Sequence, residues 1–154
     1  MAALAINDLP DEALAVLVDI LNQDVELNAW LGTSMVQSLT LLEFKRTGAE
    51  WQHSRRAVTF CIWADRPVGT ISLSHRTADG QAPIGYWLAS SEWGKGIARQ
   101  AFAIILDIAR RQGIRQVSAT IESYNEASLR LWRHHGAREE LSEKGQVQVQ
   151  LDLS

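Results

Sequence analysis

The chain has 154 residues, enough for one well-cored domain and short for two. Its apolar share of 46% is that of an ordinary globular protein, and a net charge of −3 argues against a nucleic-acid partner. One cysteine excludes an internal disulfide, and no apolar run approaches the ~20 residues of a bilayer span. The N-terminus also lacks the basic start of a signal peptide, so the chain reads as soluble and cytoplasmic.

In chain order, "LAIND" reads as a short first strand. "DLPDEALAVLVDILNQ" is a helix, with Pro10 at its entrance and Asp11 and Glu12 in the first turn, where the dipole favours them. Leu14, Leu17, Val18 and Leu21 make one buried stripe. "SMVQSLTLLEFKRTG" predicts a second helix, with basic residues in its last turn and Gly48 as its stop. The period then changes. "AVTFCIWA" and "VGTISLSH" are strands joined by "DRP", and Cys61 in the first is a small core hydrophobe rather than a nucleophile. "RTADGQA" is a loop and "PIGYWLA" a further strand. After the glycine-rich stretch "SSEWGKG" comes the helix "GIARQAFAIILDIARRQG", ended by Gly113. "IRQVSATIE" is a strand, and "NEASLRLWRHHG" a helix that starts at Asn125 and stops at Gly136. "REELSEKGQVQVQLDLS" is a hairpin whose last strand alternates Val147, Val149 and Leu151.

The order β-α-α-β-β-β-α-β-α-β-β predicts an α/β (α+β) domain with a mixed sheet. The sheet is antiparallel on one side and has a strand–helix–strand crossover in the second half. No linker or repeat divides it, so residues 1–154 form a single domain.

"SEWGKGIA" is the chemically informative stretch. The first N–H groups of a helix lack internal partners, and the dipole adds positive charge there. Glycines at such an entrance let an anion approach, so the stretch reads as a phosphate cradle. The P-loop pattern fails because Gly96 follows Lys95, and the dinucleotide pattern fails because Arg99 stands where the third glycine belongs. A tight turn with no ligand is the plainer alternative. His134 and His135 are adjacent, so they cannot form an i, i+4 metal pair, and no metal site is expected.

"PIGYWLASSEWGKGIARQAF" resembles the coenzyme-binding strand, loop and helix of the GCN5-related N-acetyltransferases (GNAT). It is most similar to the ribosomal-protein N-terminal acetyltransferase branch (RimJ/RimL-like). In the family's Arg/Gln-x-x-Gly-x-Gly/Ala motif, Trp93 takes the Arg/Gln place while Gly96 and Ala98 match. "NEASLRLWRHHGA" is similar to the family's Asn-x-x-Ser/Ala helix, with Ala137 in place of a phenylalanine. The order of elements fits over essentially the whole chain.

The resemblance implies a mixed, mostly antiparallel sheet with splayed central parallel strands, flanked by helices. It implies that the main chain of Trp87, Leu88 and Ala89 pairs with the pantetheine of acetyl-CoA, one N–H facing the thioester oxygen. The loop from Trp93 through Gly94, Lys95, Gly96, Ile97 and Ala98 to Arg99 would hold the pyrophosphate, and Asn125 would touch the pantetheine arm or simply cap its helix. The reaction implied is direct attack of a neutral amine on the thioester. Trp132 stands where many relatives have a proton-donating tyrosine; Ser128 is the group expected near the departing thiolate. The strand glutamate of relatives is missing, which leaves His75, Glu122 or a water chain as the base. Trp30 and Trp51 lie where relatives line the acceptor groove, the acceptor being a protein N-terminus or a small-molecule amine. The alternative is a catalytically inactive acyl-CoA-binding or interaction domain on the same scaffold. Relatives often form homodimers, and the alternating last strand offers itself for pairing with a second copy.

Overall fold

Seven strands form one sheet in the computed structural model, which describes residues 4–32, 37–75 and 81–153. They are β1 (Leu4–Ala5), β2 (Val58–Trp63), β3 (Pro67–Leu73), β4 (Gln81–Leu88), β5 (Gln116–Glu122), β6 (Arg138–Leu141) and β7 (Gln146–Asp152), in the spatial order β1-β2-β3-β4-β5-β7-β6. Every neighbouring pair is antiparallel except β4 and β5. That parallel pair is joined through helix α4 (Ile97–Arg111), the expected crossover.

Helix α4 carries its apolar residues at Ala101, Phe102, Ile105, Leu106 and Ala109, one stripe that is buried throughout. Helix α5 (Glu126–His134) buries Leu129, Leu131 and Trp132 beside it, with Trp132 edge-on to Phe102 at 5.0 Å between ring centroids. Both helices pack on Ile62, Val68, Ile71, Ile84 and Leu88 of the sheet. The opposite face is covered by α1 (Asp11–Gln23) and α3 (Leu41–Arg55). The predicted α1 stripe is buried at all its positions, Leu14, Leu17, Val18 and Leu21. Cys61 lies in this second cluster, and burial pushes its thiol up to about 11, leaving it protonated and inert at neutral pH.

Three expectations change. The second predicted helix is displaced: its first residues, 34–36, lie outside those described, and α3 starts only at Leu41. Thr40 and Glu43 form a reciprocal capping box there, each side chain taking the other's main-chain N–H. Gly48 is not a stop but the middle of α3, which ends instead at Arg56 with a left-handed φ of 51°. A short helix not foreseen, α2 (Val25–Trp30), follows Asp24. The last strand is not a free edge, because β7 is paired on both sides, with β5 and with β6. Of the predicted loop at 76–82, residues 76–80 lie outside those described, while Gln81 and Ala82 are already strand, the start of β4, where they pair with β5. Among the described residues no helix is long and apolar enough to cross a membrane.

Candidate active site

β4 is held on one side along its length and on the other only at its start. With β3 it pairs from Ile84 to Leu88, but with β5 it pairs only at Gln81, Ala82 and Pro83. Past that point β5 continues to Glu122 along β7, so the two parallel strands diverge and leave a slot. Alternation in an antiparallel ladder decides which main-chain groups face it. The Pro83 carbonyl accepts from Ser74 N at 2.9 Å, and Ala89 N donates to the Val68 carbonyl at 2.8 Å. Odd-numbered residues therefore spend their main-chain groups on β3, and Trp87 and Ala89 are among them. Of the three expected to face the slot, only Leu88 does so. Tyr86 and Ile84, which sequence reasoning missed, join it. Gly69 keeps β3 this close, since a Cβ there would run into the Trp87 carbonyl.

The slot opens onto the glycine-rich entrance to α4. After one 3-10 turn at Ser90–Glu92, Gly94 and Gly96 adopt φ of 78° and 80°, a region that L side chains rarely enter. Main-chain N–H groups from Gly94 through Lys95, Gly96, Ile97 and Ala98 to Arg99 have no partner among the described residues; the first helical bond is Gln100 N to the Gly96 carbonyl, at 3.2 Å. No acidic side chain stands in the first turn. A run of unpaired N–H groups at a helix start is an anion nest. Trp93 locks this loop to the strand by donating its Nε1–H to the Leu88 carbonyl at 2.8 Å. Lys95 is held at 2.9 Å by the buried Glu92 carboxylate, which sets its ammonium at the rim of the nest.

The third wall is the start of α5. Asn125 caps it, its Oδ1 accepting from Ser128 N at 3.2 Å, and Ser128 is buried. Tyr86 lies beside Ser128; burial pushes its phenol above its ordinary value, and the neighbouring Ser128 hydroxyl opposes the rise. Tyr86 packs against Trp30, with ring centroids 5.6 Å apart, and Trp30 reaches Trp93 at 6.4 Å. Asp24 places Trp30 there. Its carboxylate caps α2 by accepting from Leu27 N at 3.0 Å and takes both the main-chain N–H and the hydroxyl of Ser90 at 2.7 Å. Burial pushes the Asp24 carboxyl up, but these hydrogen bonds outweigh it and hold the group below its ordinary value.

Several expected residues fall outside this group. Trp132 is a core side chain on Phe102, not a lining of the slot. His75 gives its main-chain N–H to the Arg55 carbonyl at 3.2 Å; Glu122, by contrast, stays beside the third wall, its carbonyl accepting from Asn125 N at 2.9 Å and its carboxylate from Gln146 Nε2 at 3.0 Å. Trp51 lies on α3, on the other face of the sheet, with the Arg55 guanidinium 5.6 Å from its ring centroid. Among the described residues, no group of His, Cys, Asp or Glu side chains could hold a metal ion.

A family model described as an acetyltransferase (GNAT) domain matches residues 4–138. Among solved structures, Mycobacterium smegmatis RimJ in complex with CoA-disulfide is 26% identical, with 94% of this chain and 79% of that one covered and a TM-score of 0.74. The ribosomal-protein-alanine N-acetyltransferase of Brucella melitensis is 22% identical over 94% of this chain and 96% of that one, with a TM-score of 0.72. yncA from Salmonella typhimurium, solved with its cofactor acetyl-CoA, is 21% identical over 95% and 91%, with a TM-score of 0.70. No curated protein matches the chain in sequence.

Proposed function

The chain belongs to the GNAT acetyltransferase family and is an acetyl-CoA-dependent acyltransferase, and from that premise we propose that it moves an acetyl group from acetyl-CoA to a primary amine by direct attack. The observation that carries this reading is the nest of unpaired N–H groups from Gly94 to Arg99 at the mouth of the β4 slot.

In this reaction the nest holds the pyrophosphate, with the Lys95 ammonium at its rim. The pantetheine lies along the free side of β4, where the main-chain groups of Tyr86 and the N–H of Leu88 turn outward (the Leu88 carbonyl being held by Trp93), and one of these N–H groups faces the thioester oxygen. Asn125 meets the pantetheine arm while capping α5. The amine nitrogen attacks the thioester carbon, the C–N bond forms and the C–S bond breaks. Ser128 gives its hydroxyl proton to the departing thiolate, and the Tyr86 phenol, kept protonated by burial, stands behind it as the next donor. The proton released by the new amide nitrogen leaves through water; no side chain is assigned as base. Trp30 borders the acceptor's approach. The acceptor is a protein N-terminus or a small-molecule amine, and the single buried thiol suits a reducing compartment such as the cytoplasm.

A second reading, a coenzyme-binding domain without turnover, draws on one observation: the position expected to donate a proton is Trp132, sealed in the core. Calorimetric titration with acetyl-CoA comes first, with Ala98→Glu as the control because Gly96→Glu would also strain a left-handed backbone position. Saturable binding that Ala98→Glu abolishes is the expected result, and no binding by the wild-type chain would overturn the proposal. Thiol release on addition of amines then separates the two readings. Ser128→Ala should lower kcat by about 100-fold with the affinity for acetyl-CoA unchanged.

A further inference from the structure

The face of the sheet under α3 encloses a cavity of about 620 Å³, the size of a pocket for a small organic molecule. Its walls are mostly apolar, with Leu9, Leu14, Phe44 and Trp51 among them, and Asn7, Thr47 and Gln52 add neutral polar groups. Its floor is polar: Thr59 of β2 and Thr70 and Ser72 of β3, each buried. Thr59 and Ser72 satisfy one another through a hydrogen bond at 3.0 Å. Thr70 is 7% exposed and its hydroxyl makes no hydrogen bond to another described residue, so it opens onto the cavity. A hydroxyl at the floor of a mostly apolar cavity offers a hydrogen bond to a polar atom that arrives with a ligand.

The cavity's described lining ends on β3, one strand short of β4, and the register of the sheet gives the way on to the slot. Thr59 lies opposite Ser72, and Ser72 opposite Gly85, so one rung of the sheet leads from the floor to β4. Gly85 is exposed, and a Cβ built on it would meet nothing within 4 Å, so the surface above it is open. It belongs to the part of β4 that β5 has left. At one strand spacing per step, the slot lies roughly 10 Å from Ser72. The wall residue Gly48 fits the same picture. It sits inside α3, where glycine weakens a helix, yet a Cβ there would also meet nothing within 4 Å, so close packing does not require it. Charge narrows the occupant further. No carboxylate is among the described lining residues, and the one cation, Lys45, is 3.0 Å from Asp11 in an exposed pair. A polycation entering here would find no counter-charge.

Resting on the transferase reading above, we infer that the acceptor is a small primary amine on an uncharged, largely apolar body. That body lies in this cavity with a hydrogen-bonding end on Thr70, and the amine is carried over Gly85 to the slot. Tyramine, with an apolar ring and a hydroxyl end, is the probe, and spermidine and an alanine-initiated tripeptide are the rivals. Tyramine should show a kcat/KM at least tenfold above either rival. Gly48→Leu, which places a side chain at the cavity wall, should cut that value at least tenfold while leaving acetyl-CoA binding unchanged. Thr70→Val should raise the KM for tyramine severalfold, and serves as the second variant if Gly48→Leu folds poorly. Preference for spermidine or the peptide, or kinetics indifferent to both variants, would overturn the inference. Tyramine should also raise the Tm of the wild-type protein and not that of Gly48→Leu, a readout independent of turnover. A chain that fails to bind acetyl-CoA but keeps that shift would sink the transferase reading and leave the cavity assignment standing; absence of both the shift and tyramine turnover would sink the cavity assignment.

Discussion

The two faces of the sheet are built to different standards. Under α4 and α5, Phe102, Ile105, Leu106, Val117, Val149 and Trp132 are all essentially sealed from solvent in one continuous core. Under α1 and α3, Leu14, Leu17 and Cys61 form a small cluster beside a cavity, and α3 buries none of its residues fully. The difference tracks what each face must do. On the reading proposed above, the filled face fixes the start of α4, the start of α5 and the free side of β4, which would meet the coenzyme, whose shape never changes. On the same reading the hollow face has no such fixed requirement, and the space it leaves is open to the other reactant.

That contrast can be broken most sharply on the filled side. Trp132→Ala should cost about 3–5 kcal/mol of stability in urea titration, because the hole it leaves is walled by a rigid core. The next effect lies at the tie between the faces, where Asp24 joins α2 to the loop before the nest. Asp24→Ala should cost about 2 kcal/mol through loss of a helix cap and of two hydrogen bonds to a charged group. Because the folded chain holds this carboxyl below its ordinary value, its contribution is complete above about pH 4 and is lost as pH falls through the folded value. The variant should lack that acid-side decline when stability is followed against pH. On the hollow side the sign reverses. Gly48→Ala should raise stability by about 1 kcal/mol, since a methyl group there meets nothing and the helix gains by it. A loss instead would mean that the α3 face is as tightly packed as the other.

The sequence was most legible where apolar spacing and capping agreed. In α1, α4 and α5 a stripe of buried residues runs along each helix, and Asn125 caps the last of them as expected. In α3 the two signals separate, since its apolar residues make no buried stripe and the glycine within it invites an early stop. The "TLLE" box at Thr40 marked the true start and was the readable clue. The true end, at Arg56, uses a left-handed residue that is not glycine, which no composition rule anticipates. The glycine nest was legible because unpaired N–H groups follow from local sequence. Which residues of β4 face the slot was not, because that depends on the parity of pairing with β3, a property of two strands. The cavity was hidden for a stronger reason: it is a gap between elements and has no residues of its own.

The β6 margin of the sheet is a poor template. β6 contributes four residues there, all exposed, of which Arg138, Glu139 and Glu140 carry charge. A strand arriving from another molecule would have to lie against that charged row. The chain thus guards this margin against runaway sheet growth, even though one of its faces is left partly hollow.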